Sequence, residues 1–192
     1  LAVVQLFPAA PAPGSAADLA DLAALRDWQG RRTPAECARA QAETSPSYDN
    51  FFGRLSPFPR PLPDRANVFF SLLAADAGAA NQILKRRYQR PRPFLRDAAL
   101  TPCITKPKGF AYPSGHATVA YLYGLVLSDL VPARRAAFLA RGAEGGLDRV
   151  IGGVHHPSDV AASRALAEGL YEALQGVPAY RKELEALRRL LD

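Results

Sequence analysis

Proline placement constrains this chain more than any other feature. Of its seventeen prolines, Pro34, Pro132, Pro157 and Pro178 each stand at the head of a stretch with helical periodicity. Proline is tolerated at the first helical position because its missing N–H would be unpaired there and its φ is already helical. Four more prolines between Ser56 and Pro63 exclude a helix there and disfavour a central strand.

The segments between these marks read as helices. Ser15 opens one, with Asp18 three residues on and Gly30 as a stop. Thr33-Pro34-Ala35-Glu36 repeats the cap, proline and reciprocal acid, predicting a helix to about Glu43. From Asp64 to about Tyr88, Val68, Leu72, Ala75 and Ala79 recur at spacings of three and four and predict a buried stripe, ended by Pro91 and Pro93. Further helices are expected over Ser114 to Leu130, Pro132 to about Val150 (weakened by Gly142, Gly145 and Gly146), and Pro157 to about Gln175. A last one opens at Pro178, with Leu184, Leu187, Leu190 and Leu191 on one side. No alternating strand pattern or internal repeat occurs. The fold class expected is all-α, a single-domain helical bundle over 15–192, with Leu1 to Gly14 extended over the surface.

At 48% hydrophobic and 22% charged, the chain can bury a core and does not read as disordered. Its net charge of +6 suits anionic partners. The basic residues are spread along the chain outside any nucleic-acid-binding motif, so no nucleic acid partner is expected. Gly109 to Ser128 lacks Asp, Glu, Lys and Arg, but Pro113-Ser114-Gly115-His116 interrupts it, so no membrane span is expected. Cys37 and Cys103 form no CxxC motif, and are either one disulfide or two buried thiols. The chain starts at Leu1 rather than Met, which leads us to expect a processed product with a leader removed.

Three blocks, distant in sequence, concentrate the chemistry and hold all three histidines. Lys85 and Arg92-Pro93 bracket a helix end. An Arg before Pro sits on stiff extended backbone, and its planar fork can bind two phosphate oxygens. Ser114-Gly115-His116 precedes a helix, where free N–H groups and the helix dipole attract an oxyanion that Gly115 lets approach. In the third block, Arg149 lies six residues before His155, across Gly152-Gly153. Asp159, in the first turn after Pro157, can hold one His155 nitrogen and free the other to attack. His156 reads as a surface or packing residue. Phe110, Tyr112, Tyr121 and Tyr123 flank the site in sequence; they are candidates to stack on a leaving group, although Tyr121 and Tyr123 fit helix core. No Asp/Glu/His cluster has metal-ligand spacing, so no metal and no cofactor are expected.

Taken in order, Lys-x6-Arg-Pro, Pro-Ser-Gly-His and Arg-x5-His-x3-Asp resemble the signature of the phosphatidic acid phosphatase type 2 superfamily. Pro11 to Asp21 and Gly153 to Val160 are similar to its soluble class A non-specific acid phosphatases. The resemblance implies a helical bundle and a metal-independent acid phosphatase that acts on small phosphomonoesters through a phosphohistidine. His155 would be the nucleophile, Asp159 its stabiliser, and His116 the proton donor and acceptor. Lys85, Arg92, Ser114, Gly115 and Arg149 would hold phosphate, or vanadate in its place. It also implies a periplasmic or secreted homodimer. The rivals are a vanadate-dependent haloperoxidase and a non-catalytic phosphate-binding protein. One position departs from the pattern: Asp148 stands where the family usually has Ser. It could pair with Arg149 and weaken phosphate binding, or face solvent.

Overall fold

The caps read from the sequence close as hydrogen bonds. In the computed structural model, which describes residues 2–191, Ser15 Oγ accepts from the Asp18 N–H at 3.3 Å and opens α2 (Ala16–Arg31). Thr33 and Glu36 form a reciprocal capping box at the head of α3 (Pro34–Ala42), with the Thr33 N–H donating to the Glu36 carboxylate at 2.7 Å. Ser47 caps a short α4 (Tyr48–Phe52) that the sequence reading does not include. Then come α5 (Asp64–Tyr88), α6 (Pro93–Arg96), α7 (Gly115–Leu130), α8 (Arg135–Ile151), α9 (Pro157–Gln175) and α10 (Pro178–Arg188). Pro132 starts a single 3₁₀ turn, Pro132–Arg134, that leads into α8. Among the described residues there is no strand.

Apolar α7 is the central element, packed on α5, α8 and α9. Helix α8 lies closest to it. A Cβ on Gly142 would stand 2.9 Å from the Ala120 carbonyl oxygen, and one on Gly124 2.8 Å from that of Phe138. These glycines lower helix propensity, yet they let two backbones approach closer than side chains allow.

Two expectations need correction. The α5 stripe Val68, Leu72, Ala75 and Ala79 faces outward, with Val68 57% and Leu72 62% exposed. The buried face carries Ala66, Phe69, Phe70, Leu73, Ala77 and Leu84. Both faces have apolar residues at helical spacing, so periodicity could not choose between them. The two phenylalanines decide, because aromatic rings carry far more apolar area than Val or Ala. Phe70 packs on Tyr48 and Tyr123 at centroid distances of 4.4 and 5.1 Å.

The N-terminal segment follows its expectation only in part: Pro8 to Gly14 is non-helical and mostly exposed, but the described residues before it fold onto the bundle. Residues Ala2–Gln5 form a helical turn, α1, and Val4 and Phe7 are buried in the core. Side chains of the bundle hold its carbonyls: Arg87 donates to Val4 at 2.6 Å, Tyr112 to Pro8 at 3.0 Å, and Tyr88 to Phe7. The cysteines form a disulfide, Cys37–Cys103, with an S–S distance of 2.06 Å. It joins α3 to the loop between α6 and α7.

Candidate active site

Helix ends carry the three blocks to one place. Lys85 lies in the last turn of α5. Gln89, at φ 45°, takes the left-handed cap position and turns the chain into Arg90-Pro91-Arg92-Pro93. Arg92 sits extended before Pro93, its guanidinium donating to the carbonyls of Val154 at 3.0 Å and Gly109 at 3.2 Å. Lys85 Nζ donates to the Phe110 carbonyl at 2.6 Å. Ser114 caps α7, its Oγ accepting from Ala117 N–H at 3.4 Å. A Cβ on Gly115 would meet no protein atom within 4 Å, so the first turn of α7 faces open space. Arg149 ends α8, and Gly153, at φ 77°, reverses the chain to place His155 ahead of α9.

The hydrogen bonds of His155 fix its tautomer. Its Nε2 lies 2.7 Å from Arg92 Nη1. A guanidinium only donates, so Nε2 accepts and the proton resides on Nδ1. That Nδ1 lies 3.4 Å from Asp159 Oδ2, longer than a well-made hydrogen bond and within ion-pair reach. Burial, then the nearby charge of Arg92, keeps His155 well below its usual pKa and hence neutral. Burial pushes the Asp159 carboxyl up, but the N–H groups of His155 and His156 that face it outweigh burial and hold it well below the carboxylate range.

His116 bonds through Nε2 to the Thr44 carbonyl at 2.6 Å. A carbonyl only accepts, so Nε2 carries a proton and Nδ1 is left for chemistry. Burial and the charges of Arg149, Arg92 and Lys85 lower His116 to about 4. Burial and Arg92 bring Lys85 down to about 7. That His116 feels Arg149, Arg92 and Lys85 together is the electrostatic sign of three cations converging near it. Among the described residues, no group of three or more His, Cys, Asp or Glu side chains is arranged to hold a metal ion.

Some residues differ from their sequence reading, and others settle between two. His156 is fully buried, a packing residue and not a surface one. Its Nδ1 lies 2.9 Å from Asp159 Oδ2 and its Nε2 3.1 Å from Arg96 Nη1. Asp148 neither pairs with Arg149 nor faces solvent: it is fully buried and clamped by Arg39, with Nη2–Oδ1 at 2.7 Å and Nε–Oδ2 at 3.0 Å. Tyr112 and Tyr123 are core residues and cannot stack on a leaving group; Phe110 and Tyr121 are half-buried.

Sequence reasoning missed Arg90. It is buried and donates to Asp159 Oδ1 at 2.7 Å, Asp18 at 3.0 Å and Asp21 at 2.9 Å. Asp18 also takes two bonds from Arg96, at 2.6 and 2.7 Å. The available signal was an Arg between a left-handed turn and a proline, hidden beside Arg92.

The helix ends of this all-helical bundle thus gather two histidines, an aspartate and three cations. The sequence profile of the PAP2 superfamily matches residues 66–174, more than half of the chain, and the protein belongs to that superfamily. Among its relatives, the non-specific acid phosphatase of Providencia stuartii is 40% identical over 116 residues, covering 57% of this chain and 46% of the relative. The non-specific acid phosphatase of Salmonella typhimurium is 36% identical over 139 residues, covering 70% of this chain and 55% of the relative. The chain thus spans about half the length of the curated relatives it matches. The crystal structure of a transmembrane PAP2-type phosphatidylglycerolphosphate phosphatase from Bacillus subtilis shares the fold. Its TM-score is 0.60 at 20% identity, over 85% of this chain and 87% of that one. Here, among the described residues, no helix is long and apolar enough to cross a membrane.

Proposed function

We propose that this protein is a metal-independent acid phosphatase that hydrolyses a broad range of phosphomonoesters through a phosphohistidine. The observation that carries the reading is the His155 ring: Nε2 turned to the cations, Nδ1 turned to Asp159. In the first step Nε2 attacks phosphorus and the P–O ester bond breaks. The departing alkoxide takes a proton from Nδ1 of protonated His116. Asp159 stabilises the imidazolium charge that develops on His155. In the second step water gives a proton to His116 and attacks phosphorus. The P–N bond breaks and phosphate leaves.

Lys85, Arg92, Arg149, Ser114 and the Gly115 N–H hold the three oxygens over which transition-state charge spreads. These cations do the work that a metal ion does in other phosphatases, which is why no cofactor is proposed. Phosphate and vanadate compete for the same place. The names of the relatives support the activity. The disulfide supports a periplasmic or secreted location, since such bonds persist in oxidising compartments. The exposed apolar stripe of α5, with Val68 and Leu72, supports a dimer.

The test uses labelled phosphomonoester and a rapid quench. Label bound to protein, stable in alkali and lost in acid, is expected in the wild type and absent from His155→Ala. That variant should lose turnover by about a thousand-fold or more. Full activity in His155→Ala, or its loss to a chelator, refutes the mechanism.

A further inference from the structure

Helix α3 contributes no side chain to the proposed chemistry, yet its main chain touches the site twice. The Ala40 carbonyl accepts a hydrogen bond from Arg149 Nη2, and the Thr44 carbonyl, in the turn after α3, accepts from His116 Nε2 at 2.6 Å. Arg149 Nε is buried without a hydrogen-bond partner, so the aim of this guanidinium leans on Ala40. Carbonyls have no side-chain freedom. Where they point follows from where α3 sits.

The seat of α3 is set one residue away from the first of these contacts. Arg39 precedes Ala40, and Asp148 precedes Arg149. The fork of Arg39 grips the Asp148 carboxylate with three bonds between 2.7 and 3.2 Å. Residues 39 and 40 therefore form two consecutive rungs to residues 148 and 149. The Asp148 side chain has no exposure, and a carboxylate taken out of water is tolerable only when paired. Asp148 thus requires Arg39. Gln41 continues the attachment, its Oε1 accepting from the Thr105 N–H at 2.8 Å, and Cys37 is bonded to Cys103.

We propose that Arg39 and Asp148 are positioning residues of the phosphate site: their ion pair seats α3 so that the Ala40 carbonyl aims Arg149 at phosphate and the Thr44 carbonyl aims His116 at the leaving oxygen. This rests on the phosphatase reading given above. It also gives the departure at position 148 a role: in this chain the carboxylate acts through α3 and not by direct contact with Arg149.

Asp148→Ser is the informative variant, because it leaves Arg39 partly exposed to water instead of leaving an orphaned buried charge. Two quantities are read per active enzyme, counted from the phosphoenzyme burst. The competitive inhibition constant of inorganic phosphate reports Arg149. The ratio of turnover on an alkyl phosphate to that on p-nitrophenyl phosphate reports His116, since nitrophenolate leaves without a proton. The constant should rise and the ratio fall, each about five-fold, the factor that loss of one ordinary hydrogen bond carries. A purely structural role would lower the active fraction and move neither. Arg39→Lys keeps the charge and loses the fork, so it should move both in the same direction by less; it decides the matter if Asp148→Ser does not fold. If both quantities stay within two-fold of wild type in the folded variant, the positioning role is wrong. Failure of the wild type itself to hydrolyse either ester or to bind phosphate would instead overturn the phosphatase reading.

Discussion

Lys85 gives the sharpest test of how this site holds an oxyanion. Its ammonium is buried in the last turn of α5 beside Arg92, and both burial and that like charge bring it down to about 7. In the empty site Lys85 is therefore charged in acid and neutral in base. An oxyanion on the three cations draws the proton back, so its affinity is full below pH 7 and falls as pH rises through that value. Each unit above 7 costs about ten-fold, and between pH 6 and 9 the dissociation constant should weaken roughly a hundred-fold. Sulfate is the ligand of choice, since it stays doubly charged across the range and adds no titration of its own. His116, lowered to about 4, titrates below this range in the empty site. Calorimetry or competition against a phosphomonoester, at constant ionic strength to keep screening fixed, measures it. Lys85→Arg stays charged throughout and should bind sulfate with little pH dependence. A flat affinity in the wild type from pH 6 to 9, or the same slope in Lys85→Arg, would show that Lys85 is not the group whose charge the ligand needs.

Asp159→Asn should leave phosphate binding measurable while turnover falls by about 10²- to 10⁴-fold, because a neutral amide cannot balance the charge that develops on His155; steady-state kinetics with phosphate inhibition separates the two. Gly142→Ala places a Cβ 2.9 Å from the Ala120 carbonyl and should force α8 off α7. The expected cost is about 1–3 kcal/mol, or roughly 2–10 °C in Tm by circular dichroism. Gly30→Ala, where a Cβ meets nothing within 4 Å, should not lower it.

Helix positions were legible in this sequence because caps and prolines act locally. Ser15, Thr33 and the proline at 157 make their bonds, or forgo them, within a few residues. Which face of a helix turns inward was not legible for α5, where the answer depends on Tyr48 and Tyr123 elsewhere in the chain. Glycine was ambiguous for a related reason. Gly142 reads as a weakness from propensity and becomes a close contact only once α7 is beside it. The site divides along the same line. The three blocks could be recognised because each keeps its spacing within a short stretch of chain. The partners of Asp148 and His116, Arg39 and the Thr44 carbonyl, lie about a hundred and about seventy residues away in the chain, and no local rule names them.

The least legible residue, Arg90, resolves a difficulty that the three blocks create. A phosphate approaching His155 must come close to Asp159, and two anions at short range in a partly dry site repel strongly. Arg90 sits against the far oxygen of Asp159 at 2.7 Å and is itself held by Asp18 and Asp21 from α2. Behind His155 there are thus three carboxylates, Asp18, Asp21 and Asp159, interleaved with two guanidiniums, Arg90 and Arg96. In front of it stand Lys85, Arg92 and Arg149. The imidazole separates a nearly neutral layer from a positive one. In the proposed mechanism Asp159 can face the His155 Nδ1–H without its charge reaching the incoming phosphate undiminished. This arrangement needs α2, which lies outside all three blocks and outside the span matched by the family profile. The capping acid Asp18, read from the sequence as a helix signal, is therefore also part of what makes Asp159 usable next to an anion.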